Sequence, residues 1–396
     1  MLFGEAPDPN GRFRQRRAQA RRRRRRRRAA LVGIPLVGLA VIAGGAQLFT
    51  SNQGTQTRVA APKPTATPAA KGPERQPLPS EVRGVHVTAP LASIPGKLDE
   101  YLDLRHAGLN ALELDVKDEN GDIGFVPASV PLASAVGAAQ RYYRPREVVR
   151  KVHDAGVYLI GRVVVFEDPR LATGRPALAI RRTDGSVWTN AAGLGWTNPY
   201  DRRVWRYDVS IAEVAARAGF DEIQFDYVRF PSDGDLSNAV FPGKTATPPA
   251  RVIADFLRYA SKRLKPIGVR VSADVFGLAA TRDLGIGQIP RRISTYLDSI
   301  YPMTYPSHFN SGEYGIADPN AAPGETVFDA LYAFRKQLRG RSTQMIPWVQ
   351  DFSLGRTYTL ADVQAQIESA RLQGARGYML WNPSGVYTEG ALAPPG

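Results

Sequence analysis

The segment Gly219-Phe-Asp-Glu-Ile-Gln-Phe-Asp-Tyr-Val-Arg-Phe-Pro231 decides the fold. Its middle alternates strictly, with Glu222, Gln224 and Asp226 on one side and apolar residues on the other. A period of two predicts a β-strand. A polar face with two carboxylates suits the lumen of a barrel whose outer face packs on helices. Asp226 would then lie at the carboxyl end of its strand, where barrel enzymes keep their active sites.

Short apolar segments alternate with amphipathic helical stretches along the rest of the chain, which indicates repeated βα units of the α/β class. Eight such units are the count of a (β/α)8 TIM barrel, and an open doubly wound sheet is the alternative. Long insertions occur only after strands, as expected when one face of a barrel carries the active site. The predicted strands are residues 82–88, 111–117, 157–166, 222–228, 269–276, 299–304, 344–350 and 377–381.

The net charge of +15 is concentrated in an N-terminal tail, residues 1–28, which holds twelve Arg and two acidic residues. Residues 29–49 follow without a charge, and at about 1.5 Å per residue they can span a bilayer core of roughly 30 Å. The positive-inside rule predicts a transmembrane signal anchor with a cytoplasmic N-terminus and an external C-terminal domain. Secretion after cleavage of a signal peptide is the alternative.

Residues 50–80 are rich in Pro, Thr and Ala, which is typical of an extended linker. They lead to the predicted barrel domain, residues 81–396, whose own net charge is small. We therefore expect a membrane partner through the N-terminal helix and no nucleic acid. The absence of Cys agrees with an exported domain that has no disulfides.

The composition also excludes several site types. Without Cys there is no thiol nucleophile, and the four His show no HxH or HExxH spacing for zinc. The lack of a GxGxxG or GxxxxGK[ST] motif argues against nucleotides, so we expect neither metal nor cofactor. A Mg²⁺ or Ca²⁺ site around Asp115, Asp118 and Asp122 is the alternative to a simple turn.

Asp226 and Asp274 are the first candidates for catalysis, because they close adjacent strands with the same parity. Two carboxyls about 5–5.5 Å apart suit retaining glycoside hydrolysis, and roughly 6.5–9.5 Å suits inversion. One group would be ionised, held by Arg229, Lys117 or Arg162, while its neighbour stays protonated. The competing interpretation is a salt-bridge network inside a polar barrel.

Further polar and aromatic residues at the strand ends are candidates for substrate binding, since flat aromatic faces bind sugar rings. The same Trp residues could instead cap the barrel core. The candidates are Asp115, Lys117, Arg162, Glu167, Trp188, Trp196, Arg229, Tyr301, Tyr305, His308, Trp348 and Trp381.

Several of these motifs together resemble a bacterial glycoside hydrolase family with a TIM barrel, over nearly all of residues 81–390. They are Arg83-Gly-Val-His-Val, Glu113-Leu-Asp-Val-Lys-Asp-Glu-Asn-Gly121, Phe220–Pro231, Ser272-Ala-Asp-Val-Phe-Gly277 and Tyr301-Pro-Met-Thr-Tyr-Pro306.

The wider resemblance to α-amylase-type barrels implies Asp226 as nucleophile, Asp274 as acid/base and Asp351 as a third carboxylate. That plan normally has Glu on the fifth strand, where this chain has Asp. The chitinase-like strand motif is broken here by Gln224 and Val228, which disfavours a chitinase mechanism.

We therefore expect a glycoside hydrolase or transglycosidase that acts on an extracellular or cell-envelope polysaccharide. The alternative is a non-catalytic carbohydrate-binding or envelope scaffold protein that uses the same cleft.

Overall fold

The computed structural model describes residues 75–394, and their eight parallel strands close into a barrel. β1 pairs with β2 on one side and with β8 on the other, and β5 pairs with β6, so the sheet has no free edge. The predicted (β/α)8 barrel is confirmed, and an open sheet is excluded. The strands are β1 Val82–Val87, β2 Ala111–Lys117, β3 Tyr158–Val164, β4 Glu222–Asp226, β5 Arg270–Phe276, β6 Ser299–Met303, β7 in two segments, Gln344–Met345 and Trp348–Gln350, and β8 Gly377–Trp381.

Helices form the outer layer and return the chain to the amino end of each next strand. The helix Arg202–Ala218 is followed by Gly219, whose φ of 117° gives the left-handed cap that the sequence predicts before β4. After β8 the described chain has only the 3₁₀ turn Glu389–Leu392. The helices are α1 Ala89–Ala92, α2 Lys97–Asp103, α3 Pro131–Ala135, α4 Pro145–Asp154, α5 Pro169–Gly174, α6 Arg202–Ala218, α7 Pro249–Leu264, α8 Pro290–Ile293, α9 Pro323–Gln337 and α10 Leu360–Leu372.

Most strands are slightly shorter than predicted, and in two of them the backbone shows the physical reason. β4 ends at Asp226 rather than at residue 228, because Tyr227 adopts the left-handed conformation with φ 50°. β7 is interrupted between its two segments, where Pro347 has no N–H to donate to a sheet.

Apolar side chains form two separate layers. The larger lies between the strands and the helices; Phe225 of β4, for example, meets Phe256 of α7 edge-on with ring centroids 5.3 Å apart. The smaller fills the lumen and includes Val82, Ala111 and Ile346. The lumen is therefore closed at the amino ends of the strands, and the polar side chains lie towards the opposite end.

The residues just before β1 contact the amino end of the barrel. The guanidinium of Arg75 donates to the carbonyl oxygens of Phe220, Ala216 and Ile267. The N–H of Gln76 donates to Asp221 Oδ1 at 2.7 Å. Residues 75–80, predicted as the end of the linker, thus belong to the folded body of the barrel.

Two long βα loops, after β3 and β4, pack against each other at the face formed by the carboxyl ends of the strands. Arg181 pairs with Val240 through backbone hydrogen bonds of 2.9 and 2.7 Å. Trp188 donates its indole N–H to the carbonyl oxygen of Asp235 at 2.8 Å. The two loops therefore form one layer beside the barrel mouth.

Within residues 75–394, no helix is both long and apolar enough to cross a membrane. The predicted tail 1–28, the span 29–49 and most of the linker lie outside the described residues.

Candidate active site

The carboxyl ends of β2 to β5 bring the predicted polar side chains together. In the β4–β5 register, Gln224 lies beside Ser272 and Phe225 beside Ala273. The next residue pair along the two strands is Asp226 and Asp274. Neighbouring strands lie about 4.8 Å apart, so these two carboxylates are near neighbours in the lumen.

Arg162 of β3 is the cation at the centre of this cluster. Its Nε and Nη2 both donate to Asp226 Oδ2, at 3.0 and 2.6 Å. Its Nη1 donates to Asp115 Oδ1 at 2.7 Å and lies 3.5 Å from Glu119 Oε2. Charge-assisted hydrogen bonds of this kind are shorter and stronger than neutral ones, so Arg162 holds these carboxylates firmly. Of the three cations proposed from sequence, Arg162 is the one that contacts Asp226.

The backbone after Asp226 supplies another donor. The N–H of Tyr227 donates to Asp226 Oδ1 at 2.6 Å. A φ of 50° is uncommon for an aromatic residue and costs about 1–2 kcal/mol. Such strain is found most often where function requires a fixed geometry. Both oxygens of Asp226 are thus held in place.

Asp274 is in a different environment. It is 2% exposed, and its Oδ1 accepts from Gln224 Nε2 and from Trp348 Nε1, each at 2.6 Å. Burial, followed by the charges of Asp226 and Glu113, raises the pKa of Asp274 well above its usual value. A carboxyl whose pKa is raised thus lies beside a carboxylate that is ion-paired with Arg162. Two neighbouring carboxyls in such different environments can serve as an acid and base pair.

A second polar pair lies deeper on β1 and β2, and we did not predict it from the sequence. His86 Nδ1 hydrogen-bonds to Glu113, and His86 Nε2 is 3.6 Å from Asp115 Oδ2. Burial raises the pKa of Glu113 well above its usual value, against the opposing charge of Arg162. Glu113 shares the parity of Asp115 on β2, which was the available signal.

Aromatic rings line one side of the same lumen. Trp348 and Trp381 meet edge-on with centroids 5.8 Å apart, and Tyr301 lies 6.5 Å from Trp348. Trp381 also contacts the ring of His86 at 5.0 Å and is partly exposed. Tyr305 contacts His308 at 5.3 Å at the rim. The lumen thus has acidic groups on β2 to β5 and aromatic rings on β6 to β8. Tyr301, Tyr305 and Trp348 are buried, whereas Trp381 and His308 are partly exposed.

Comparison with known proteins agrees with this arrangement. Residues 84–387 match the family described as "Putative glycosyl hydrolase domain". The chain belongs to this family. The fold of this glycosyl hydrolase domain is similar to that of several solved structures, whereas no curated protein matches the sequence.

Two glycosidases illustrate the structural similarity. The glycoside hydrolase domain of PgaB (BpsB) from Bordetella bronchiseptica is 16% identical, with a TM-score of 0.55, 80% of this chain covered and 100% of the other. The catalytic domain of β-amylase from Paenibacillus polymyxa is 13% identical, with a TM-score of 0.50 and coverages of 80% and 96%. At these identities the likeness establishes the fold.

A protein from Ruminiclostridium thermocellum, described as hypothetical, is 35% identical. The match covers 48% of this chain and 97% of the other, with a TM-score of 0.44.

Lys117 of the glycosyl hydrolase domain does not lie where alternation predicts. The β2–β3 register shifts between Asp115 and Lys117, so Lys117 pairs with Val163 and points to the helix layer. There its Nζ is 2.7 Å from Asp168 Oδ2 and 2.6 Å from Asp208 Oδ1, with all three side chains fully buried. The irregularity in β2 reverses its face, and the buried ion pairs leave no path to a substrate.

The two Trp residues of the long loop after β3 are also buried rather than displayed. Trp188 is 1% exposed and Trp196 is 0% exposed. The loop folds onto itself, and Glu167 and Trp196 form a backbone bridge. These side chains support the wall of the cleft, so the expectation that they stack on sugar is not met in this conformation.

Arg229 and Glu167 likewise support the loops. The guanidinium of Arg229 lies over the rings of Trp196, Tyr227 and Phe276, with centroid distances of 5.0, 5.0 and 4.7 Å. Arg229 is 2% exposed and donates to the carbonyl oxygen of Phe230 at 3.1 Å.

Glu167 is fully buried and accepts from Asn190 Nδ2 at 2.8 Å. Neither residue presents its charged group at the open cleft.

Asp351, the predicted third carboxylate, follows β7 and binds the C-terminal segment. Its Oδ2 accepts the N–H of Thr388 at 2.8 Å and its Oδ1 accepts the Thr388 hydroxyl at 2.6 Å. Burial raises the pKa of Asp351, and these hydrogen bonds oppose the shift. A catalytic role for Asp351 remains a prediction from the resemblance.

Among residues 75–394, no group of three or more His, Asp or Glu side chains has a geometry that could hold a metal ion. Asp118 instead closes a turn, since its Oδ1 accepts from the N–H groups of Asn120 and Asp122, both at 2.9 Å. Burial and the charges of Glu119 and Asp115 raise the pKa of Asp118 to about 8.

Proposed function

We propose that the chain hydrolyses glycosidic bonds of an extracellular or cell-envelope polysaccharide, with Asp226 and Asp274 as the catalytic pair. One observation carries the proposal. Arg162 clamps Asp226 through two hydrogen bonds, while the adjacent Asp274 is buried and its pKa is raised. An ion-paired carboxylate beside a carboxyl whose pKa is raised is the combination that a nucleophile and an acid need in glycoside hydrolysis.

In the proposed reaction Asp274 gives its proton to the glycosidic oxygen as the bond to the anomeric carbon breaks. Asp226 attacks that carbon and forms a covalent glycosyl ester. Asp274, now ionised, removes a proton from water, and the water oxygen displaces Asp226. The placement on adjacent strands supports this retaining course over inversion, which needs a wider gap.

The proposed location is the outer side of the cell membrane, with residues 29–49 as anchor and the barrel outside. Support comes from the Arg-rich residues 1–28 directly before an uncharged span. Secretion after cleavage is the alternative, and fractionation separates the two. An anchored chain stays in the membrane pellet after a high-salt wash, whereas a cleaved chain appears in the medium without its first residues.

Asp226→Asn tests the activity. The substitution keeps the shape of the side chain but removes the charge, so turnover of a panel of chromogenic glycosides and polysaccharides should fall by at least about 10³-fold. Thermal unfolding should change little, because Arg162 keeps its ion pair with Asp115 and the Asn amide oxygen can still accept a hydrogen bond. The product anomer, read by NMR in the first minutes of reaction with wild type, reports retention.

Asp255→Asn on α7 is the matched control, because Asp255 pairs with the surface residues Arg251 and Arg258 on the outer layer. It should retain turnover. Full activity in Asp226→Asn would refute the assignment. Glycan binding that survives in Asp226→Asn but is lost in Trp381→Ala, in a chain that cleaves no glycan, would instead support the carbohydrate-binding alternative.

A further inference from the structure

A shallow open groove lies at the carboxyl ends of β5 and β6. It is lined by Phe276, Leu278, Met303, Tyr305, His308 and Phe309. The walls are apolar except for a phenol and an imidazole. None of the catalytic roles above uses Phe276, Met303 or Phe309.

The groove is adjacent to the catalytic pair on the side of Asp274. Phe276 follows Asp274 by two residues on β5 and pairs with Met303 on β6. Burial, and then the charges of Asp274 and Asp226, raise the pKa of Tyr305 well above its usual value. The phenol of Tyr305 is therefore near the carboxylates while its ring forms a wall of the groove. Going around the barrel from β4 to β6, Asp226 comes first, Asp274 second and the groove third.

Gly277 allows the groove to have this shape. A Cβ at this position would lie 2.7 Å from the carbonyl oxygen of Met303 and 2.8 Å from Cζ of Phe309. Only a residue without a side chain lets Phe309 approach the end of β5 so closely. Phe309 is half-buried and its ring lies against Tyr314 with centroids 5.8 Å apart. The aromatic wall is thus held in place from both sides.

We propose that this groove is the aglycone subsite, which binds the leaving group of the substrate through the apolar face of its first ring. The inference rests on the proposed function, because the acid must protonate the oxygen that departs with the leaving group. The leaving group therefore lies beyond Asp274 as seen from Asp226, which is where the groove begins. Apolar aromatic walls with few polar groups match the face of a pyranose or an aryl ring.

The test compares two substrates of one glycone in wild type and Phe309→Ala. A 4-nitrophenyl glycoside places an aryl ring in the aglycone subsite, whereas the matching glycosyl fluoride has no aglycone. We expect Phe309→Ala to lower kcat/KM for the aryl glycoside about fivefold to tenfold, mainly through KM, and to leave the fluoride within twofold. An equal loss for both substrates would overturn the proposal.

Phe328→Ala on α9 is the matched control, since Phe328 is an exposed ring on the outer layer. It should leave both substrates unchanged. Should wild type cleave neither substrate, binding decides on the groove; the proposed function itself fails only when the whole panel of glycosides and polysaccharides stays uncleaved. Saturation-transfer NMR with 4-nitrophenol should give a signal with wild type and Phe328→Ala that is lost in Phe309→Ala. No signal, or equal signals in all three proteins, would overturn it.

Discussion

Replacing Lys117 by Met tests whether this side chain supports the fold or serves the substrate. Met keeps the length of the side chain and removes the charge that lies 2.7 Å from Asp168 and 2.6 Å from Asp208. At an effective dielectric constant of about 20, each pair has a Coulomb attraction of roughly 6 kcal/mol. The cost of burying an ammonium group, several kcal/mol, offsets part of this. Removing one partner of a buried pair typically costs about 3–5 kcal/mol, and we expect that loss at pH 8.

The loss should be smaller at low pH. Burial already raises the pKa of Asp208 to about 7, with Lys117 opposing the shift, so removal of Lys117 raises it further. Asp208 in the folded state then binds a proton that the unfolded chain, with its lower pKa, does not. This contribution makes the folded state more stable as the pH falls from 8 to 5. Wild type takes up the same proton below about pH 7, so the loss in Lys117→Met should shrink by about 1 kcal/mol between pH 8 and pH 7 and stay constant from there to pH 5.

Urea unfolding at both pH values gives the free energy of unfolding, and initial rates on the best substrate of the glycoside panel give activity. Lys151→Met is the control, because Lys151 pairs with Asp99 at 2.5 Å on the surface, with exposures of 43% and 54%. We expect a change of less than about 1 kcal/mol there. Unchanged stability together with lost activity in folded Lys117→Met would refute the placement of Lys117 in the helix layer.

Three further predictions concern the cleft. Trp348→Phe removes the indole N–H whose hydrogen bond lowers the pKa of Asp274, so the alkaline limb of the pH–rate profile should move to higher pH. An unmoved limb would contradict the acid role of Asp274. Arg162→Lys keeps the positive charge but loses the double hydrogen bond to Asp226, so kcat should fall by about 10²-fold or more. A kcat within threefold of wild type would contradict the role of these hydrogen bonds. Asp351→Asn weakens the hydrogen bonds to Thr388, so thermal unfolding should show a loss of about 1–2 kcal/mol of stability while kcat stays nearly unchanged. Loss of turnover in the folded variant would instead support Asp351 as the third catalytic carboxylate.

The barrel could be predicted from the sequence because period-two strands and 3.6-residue helices each depend on local residue order. The neighbouring positions of Asp226 and Asp274 followed as well, since parity and strand order suffice to place them. The partner of Asp226 could not be fixed in this way. Three cations were possible, and the choice of Arg162 depends on distances across β2, β3 and β4.

What the sequence could not predict depends on irregular backbone. One register shift in β2 moves Lys117 from the lumen to the helix layer, and no residue type in β2 predicts that shift. Trp188 and Trp196 lie in a loop whose self-packing, rather than its composition, determines their exposure. The left-handed Tyr227 is another case, because an aromatic residue gives no local signal for positive φ.

The contacts of Arg75 and Gln76 determine where the barrel can be held. The chain enters at the amino ends of the strands, so everything before residue 75 is joined to the face opposite the carboxylates. A force applied to the preceding chain would act on the three hydrogen bonds from Arg75 to backbone carbonyl oxygens before it acts on β1. Force transmitted from that side would therefore act on the amino ends of the strands, opposite Asp226 and Asp274.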